Sequence, residues 1–191
     1  MYARLADNTL LLLREIRPDD KDRLVEGMRG LSEESIRRRF LGPKPSLSAA
    51  ELRYLTEVDG DSHYAIVAVE AADENRIRAV GRFVRLADDP GAAEVAITVC
   101  DDLQGKGLGG LLARRLSDAA RGRGIERLTA TIASVNRPAL ALMRRIDERL
   151  SGQPVGSSVT ELVARLPVAA ADELGEEAAA AVAPAAAAPA A

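Results

Sequence analysis

The sequence predicts a single α/β domain in which a mixed, mostly antiparallel central sheet is flanked by helices. Apolar runs of strand length recur through the first half of the chain, and the hydrophobic period changes from strand to helix spacing at Leu108. Strands and helices then alternate up to a final strand. The 191 residues are too few for two full domains joined by a linker.

The amino-terminal third predicts one strand followed by helices. The apolar run at 9–18 turns polar at its end, which indicates a strand leading into a helix. Ser32 can cap a second helix, and Ser46 or Ser48 can cap a third over about 49–58, because a hydroxyl oxygen can accept from the free amides of the first turn.

Three neighbouring strands follow in the middle of the chain. Residues 63–71 and 77–86 alternate in the manner of paired strands, and we expect them to be joined by a polar turn at 73–75. Residues 94–99 form the next strand. Such short connections favour antiparallel neighbours.

The second half alternates helix and strand. A helical stripe begins at Leu108 and ends at Gly122, a favoured residue at helix ends. A strand is predicted at 128–133, Asn136 precedes the next helix, and residues 158–166 form the last strand.

We assign the globular domain to residues 1–167 and a flexible Ala/Pro-rich tail to 168–191. Alanine makes up 14 of the last 23 residues, and two prolines interrupt them. Such a segment has too few bulky side chains to offset the entropy lost on ordering.

Charge and rare residues exclude several function classes. Lys and Arg total 26 against 29 Asp and Glu, a net charge of -3, so neither a nucleic-acid partner nor a membrane surface is expected. Cys100 and His63 are each the only residue of their type, so we expect no disulfide within the chain and no metal. The arginines at 37–39 are interpreted as a solvated part of a helix. With no membrane-length apolar run and no secretory signal visible, the expected compartment is the cytoplasm.

The segment from Val95 to Gly110 is the most informative part of the sequence. A strand enters, a turn with four glycines in six residues follows, and an amphipathic helix leaves. Glycines let the backbone approach a ligand closely, and the helix start presents free N–H groups and a positive dipole end. Lys106 adds a positive charge. The pattern therefore favours binding of a phosphate or pyrophosphate over a simple tight turn.

Three kinds of anion-binding loop could give this pattern. A nucleotide triphosphatase loop needs Ser or Thr after Gly-Lys, where this chain has Gly107. A dinucleotide loop fits the glycine spacing, but its acidic residue belongs at the end of the next strand, whereas Glu126 precedes that strand. The stretch from Gln104 to Gly109 instead has the Q-x-x-G-x-G pattern of the GNAT superfamily of N-acetyltransferases, which this chain resembles.

The resemblance extends beyond the loop. The stretches at 31–43, 58–69 and 92–102 are together similar to the GNAT domain of Pat-type protein lysine acetyltransferases, and the similarity runs from about 11 to 145. It implies acetyl-CoA as co-substrate and either a protein lysine or a small amine as acceptor. It leaves the oligomeric state open.

The resemblance also implies which residues hold the cofactor. The pyrophosphate is expected on the loop amides and the pantetheine arm along the strand before it, with a contact from the asparagine that begins the next helix. The implied residues are Ile97, Thr98, Val99, Gln104, Gly105, Lys106, Gly107, Leu108, Gly109, Gly110 and Asn136. Asn136 could equally be a plain helix cap.

Glu94 is the candidate general base. Acyl transfer to an amine needs a proton acceptor, and strand alternation puts Glu94 on one face with two small residues, Ala96 and Thr98. It matches the glutamate that Pat-type enzymes use as base, although an exposed strand-end acid would look the same. The position of a usual general acid is occupied by Met143. A non-catalytic acyl-CoA sensor is the alternative from another class.

Overall fold

A computed structural model describes residues 1–167, which form one eight-stranded sheet with helices on both faces. The strands are β1 (Tyr2–Arg4), β2 (Leu10–Glu15), β3 (His63–Glu70), β4 (Asp73–Arg85), β5 (Ala92–Val99), β6 (Arg127–Ala133), β7 (Ser151–Pro154) and β8 (Val159–Arg165). The helices are α1 (Lys21–Arg29), α2 (Glu33–Phe40), α3 (Ala49–Thr56), α4 (Leu108–Arg121) and α5 (Arg137–Ile146). Short 3-10 helices precede α1 and follow β5.

The strand order is β1-β2-β3-β4-β5-β6-β8-β7, and all neighbours are antiparallel except β5 and β6. This confirms the predicted α/β class and its mixed, mostly antiparallel sheet. The predicted tail at 168–191 lies outside the described residues.

Two apolar clusters fix the helices on opposite faces of the sheet. On one face, Leu24 of α1 packs with Val67 and Ile77 of the sheet. On the other face, the apolar residues of α4 pack on Phe83, which is fully buried. The contact is closest at Gly81, where a Cβ would meet a Leu116 methyl carbon at 2.9 Å. Helices α4 and α5 therefore lie on the opposite face from α1, α2 and α3.

Local hydrogen bonds explain where α2 and α3 begin. The Ser32 hydroxyl accepts from the Ser35 amide at 3.2 Å, and Ser48 forms a reciprocal capping box with Glu51. The turn predicted at 73–75 is wrong, because Asp73 already pairs with Glu70 in the β3–β4 hairpin. The β3–β4 register shifts on either side of Val69, where the extra residues belong to β4, allow the ladder to include these polar residues.

Within residues 1–167, every helix is too short or too polar to cross a bilayer.

Candidate active site

The parallel strands β5 and β6 separate after a short paired stretch. Their last paired residues are Glu94 and Thr129, whereas β5 stays paired with β4 as far as Val99. Beyond Glu94 the gap becomes a cleft of about 660 Å³, bordered by both strands, α2, the glycine turn and α5. A cleft of this volume at a strand separation is typical of a small-ligand site.

The cleft-facing edge of β5 presents backbone polar groups. The Cys100 amide donates to the Arg78 carbonyl of β4 at 2.9 Å. Because bonding directions alternate along an antiparallel strand, Ile97 and Val99 direct their N–H groups away from β4 and toward the cleft. Thr98 bonds toward β4 through its backbone, and only its side chain lines the cleft. A ligand lying along β5 could thus hydrogen-bond to Ile97 and Val99.

The glycine turn has a backbone that only glycine adopts readily. Gly105 and Gly107 have φ values of +74° and +93°, and open space surrounds the position of an added Cβ at both. Gly107 is the N-cap of α4, and Leu111 is the first residue to close a helical bond, to the Gly107 carbonyl at 3.1 Å. The amides of residues 108–110 therefore lack intrahelical partners and face the turn. Leu108 can contribute only its amide, since its side chain is fully buried.

Two cations lie near this turn, and they differ in availability. Lys106 is already paired with Asp7 at 2.7 Å, and this hydrogen bond is the main reason that the pKa of Asp7 lies far below its usual range. Arg145 of α5 extends a guanidinium nitrogen to 3.0 Å from where a Cβ on Gly110 would lie. Among residues 1–167, Arg145 has no carboxylate within 4.0 Å. Arg145 is not among the site residues predicted from the sequence.

Gln104 ties the turn to its surroundings. Its side-chain amide donates to the Val99 carbonyl at 3.1 Å and to the Ser35 hydroxyl at 3.0 Å. Asp101 accepts from the Ser32 amide and hydroxyl, at 2.9 and 2.7 Å. These bonds fix the end of β5 to the start of α2, so that α2 borders the cleft.

Glu94 lies where the two strands begin to part. It is exposed and lines the cleft together with Ala96 and Thr98, and its neighbour Val95 points into the opposite core. The small side chains beside it leave room for a substrate. The carboxylate is therefore placed to accept a proton from a group entering the cleft.

The interpretation of residues 37–39 as a solvated run is wrong for Arg39. Arg39 is only partly exposed and lines the cleft, because α2 is held against the end of β5. Burial lowers the pKa of Arg39, although the negative charge of Glu94 acts to raise it. Arg38 also borders the cleft but is paired with Glu34 at 2.8 Å.

Asn136 is buried at the start of α5 and lines the cleft. Its side-chain oxygen accepts from the Ala139 amide at 3.2 Å, so it is a helix cap. A contact of its NH₂ group with a ligand is compatible with this role and stays a prediction.

Cys100 and Met143 add no acid or nucleophile to the cleft. Burial raises the pKa of the Cys100 thiol, although Arg78 acts to lower it, and the thiol faces the Ile77 carbonyl at 3.8 Å. A protonated thiol is a weak nucleophile. Met143 is buried in the α4–α5 cluster.

Comparisons with known proteins agree with this geometry. Residues 11–148 match the family described as acetyltransferase (GNAT) domain. Acetyltransferase Pat of Mycolicibacterium smegmatis is 34% identical over 150 residues, which is 78% of this chain and 44% of that protein. Acetyltransferase PA5475 of Pseudomonas aeruginosa is 33% identical over 135 residues, 70% of this chain and 72% of that protein.

Among solved structures, the GNAT domain of S. lividans PAT superposes with a TM-score of 0.77 at 28% identity. The alignment covers 87% of this chain and 96% of that domain. The chain spans less than half of the length of the M. smegmatis protein.

Proposed function

The chain belongs to the acetyltransferase (GNAT) family, and on this basis we propose that it transfers an acetyl group from acetyl-CoA to a primary amine, with a protein lysine side chain as the favoured acceptor. One observation carries the proposal: β5 separates from β6 directly after Glu94 and then leads into a turn that presents free helix amides. The same strand thus joins a proton acceptor to an anion-binding turn.

The residues of the cleft fit acetyl-CoA as co-substrate. The amides at 105–110 suit a pyrophosphate, because oxyanions bind well where several N–H groups and a helix dipole converge. Arg145 adds a positive charge that is unpaired among residues 1–167, whereas Lys106 is engaged with Asp7. The cleft-facing edge of β5 offers hydrogen bonds to an extended amide-containing arm such as pantetheine. The proposed contacts are with Ile97, Thr98, Val99, Gln104, Gly105, Lys106, Gly107, Leu108, Gly109, Gly110 and Asn136.

The bound co-substrate supplies an activated acetyl thioester. In the proposed reaction, the Val99 N–H donates to the carbonyl oxygen, which gains negative charge as the amine attacks. The C–N bond forms, the C–S bond of the thioester breaks as the carbonyl re-forms, and CoA leaves as the thiolate. Glu94 accepts a proton from the attacking amine, directly or through water. About 17 Å of extended strand separates Glu94 from Val99, since each residue adds about 3.3 Å, so with Val99 as the donor the proton reaches Glu94 through a chain of water molecules.

That length joins the α-carbons of Glu94 and Val99, which are five residues apart. The distance from the Glu94 carboxylate is shorter, because the side chain is long. Ile97, with its N–H on the same edge and nearer to Glu94, is the second candidate donor. Binding both reactants in one cleft removes much of the entropic cost of bringing them together.

The test is an acetyl-transfer assay on the full chain with acetyl-CoA, against a panel of lysate proteins and a panel of small amines, with mass spectrometry of the products. We expect acetyl groups on the lysine ε-amines of the lysate proteins. If only small amines were acetylated, the acceptor would be a small amine and not a protein lysine. Binding of CoA without transfer to either panel would instead support an acyl-CoA sensor.

A further inference from the structure

Two arginines in or beside the cleft have no carboxylate partner among residues 1–167. Arg82 of β4 is opposite Ala96 and two residues from Val84, which pairs with Glu94. It is only 5% exposed. Arg39 reaches the same place from α2, and both line an apolar cavity of about 70 Å³ that adjoins the cleft and shares Ala96 with it.

Arg82 is hydrogen-bonded only to neutral groups among residues 1–167. It approaches His63 Nε2 at 3.0 Å and donates to the Leu55 carbonyl at 3.1 Å. Burial and the charge of Arg82 lower the pKa of His63, against the opposing charge of Asp59, so the imidazole is neutral and accepts. Neither contact offsets the positive charge of Arg82.

Arg39 is also without a counterion. Its guanidinium lies over the Phe40 ring, 5.0 Å from the centroid, and has no carboxylate within 4.0 Å in the described range. Glu94 is the acid whose charge acts on it, from beyond ion-pair distance. Burial and the charge of Arg39 lower the pKa of Arg82 to about 10, with Tyr54 opposing, so Arg82 remains charged at pH 7.

Arginines of similar burial elsewhere in the fold are paired. The Arg14 side chain, 9% exposed, meets Asp20 at 2.7 Å, and the Arg78 side chain, 12% exposed, meets Glu70 at 3.0 Å. Removing a charge from water without a partner is costly, and two like charges side by side increase the cost. An arriving anion would offset it, and a guanidinium binds a carboxylate through two parallel hydrogen bonds.

We propose that the acceptor is an anionic amine, whose carboxylate binds Arg39, within the field of Arg82, while its amino group faces Glu94. The inference rests on the proposed function, since it places the acceptor amine beside the general base. A free amino acid and a lysine next to an acidic residue of a protein share this chemistry. Arg39 is the direct contact, because it borders the open cleft, and Arg82 is a positioning residue buried behind it.

The experiment measures kcat/KM for acceptor pairs that differ only by carboxylate against carboxamide, with rates expressed per unprotonated amine. One pair is an amino acid and its primary amide, and the other is a peptide with Lys-Glu against Lys-Gln; together they distinguish the two sources. The wild type is expected to prefer a carboxylate by about 10- to 100-fold in at least one pair, the value of a hydrogen bond to a charged group.

Arg39→Gln should abolish this preference by lowering kcat/KM for the carboxylate acceptor to the value for the carboxamide, while Arg39→Lys should restore part of it. Arg37→Gln is the matched control, since Arg37 is exposed on the same helix, and it should keep the preference. The inference is overturned if the chain turns over acceptors with no carboxylate preference in either pair, or if Arg39→Gln does not alter the preference. Either result leaves the proposed function intact.

A binding measurement covers the case in which no acceptor is turned over. Glutarate and glutaramide are titrated into the CoA-saturated full chain by calorimetry. If glutarate binds to the wild type and to Arg37→Gln but not to Arg39→Gln, the anion site is upheld, even if the acetyltransferase proposal fails. Absent glutarate binding, or binding equal in Arg39→Gln, overturns it.

Discussion

Replacing Gly107 with alanine tests whether the turn is shaped for a ligand. Gly107 has a φ of +93°, and no heavy atom lies within 4 Å of an added Cβ. The cost to folding therefore comes from backbone strain alone, about 1–2 kcal/mol for an L-residue in the left-handed region. For a chain of this size, each kcal/mol lowers Tm by about 2–4 °C. The methyl group would also occupy the space in which we place the pyrophosphate.

Gly124→Ala is the matched control, because Gly124 has a φ of +73°, equally open surroundings and a position beyond the other end of α4. Urea unfolding should show similar losses for both variants. Calorimetric titration with CoA should show a Kd raised at least about tenfold for Gly107→Ala only, the effect of losing one charge-assisted hydrogen bond. Equal CoA affinity in the two variants, with equal destabilisation, would show that the turn at Gly107 does not hold the pyrophosphate.

Three further predictions concern single charges. Glu94→Gln should lower kcat by about 10²- to 10⁴-fold without changing the Kd for CoA, as expected on losing a general base. Arg145→Gln should raise the Kd for CoA and make it less sensitive to salt, because one phosphate contact is lost. Asp20→Asn should lower the free energy of unfolding by about 3–5 kcal/mol at pH 7, since it removes the close partner of the buried Arg14 charge and leaves only Glu74 at 3.9 Å.

The pH dependence of the last variant follows from its ion pair. Burial acts to raise the pKa of Asp20, but hydrogen bonds from Arg14, from the Arg17 amide and from Arg23 outweigh it and hold the pKa below the usual 3.8. A carboxyl whose pKa is lowered on folding contributes its full stability above the unfolded pKa and loses it as pH falls through the folded one. The difference between wild type and variant should therefore narrow in urea titrations below about pH 4. A constant difference down to pH 2 contradicts this assignment.

The catalytic and cofactor variants have controls of the same chemistry. Glu126→Gln removes an exposed acid outside the cleft, and Arg144→Gln removes an exposed arginine next to Arg145. Rate assays and CoA titrations should find both close to wild type. Unchanged kcat in Glu94→Gln argues against the general base. A Kd for CoA that moves equally in the two arginine variants argues against a specific role of Arg145.

Local patterns in the sequence predicted much of the fold. The hydroxyl caps at Ser32 and Ser48, and the helix that begins at Leu108, depend on residues within a few positions of each other. The face on which Glu94 lies follows from strand alternation alone. The short strand β1 gave no such signal, because its three residues become a strand only by pairing with β2.

The electrostatics of the site depended on contacts between distant residues. Asp7 pairs with Lys106, Arg145 reaches Gly110, and Arg39 turns inward because α2 is bonded to Asp101. The hydrophobic periodicity of the sequence does not predict contacts between such distant residues. In a chain whose cations are mostly arginine, composition could not distinguish the paired guanidiniums from the unpaired ones.

A crystal structure of the chain with bound CoA would show whether the turn and β5 hold the co-substrate. We expect pyrophosphate oxygens about 3 Å from amides within 105–110, with the sulfur end directed along β5 toward Glu94. A nucleotide bound outside the cleft, or a sulfur directed away from Glu94, would contradict this expectation.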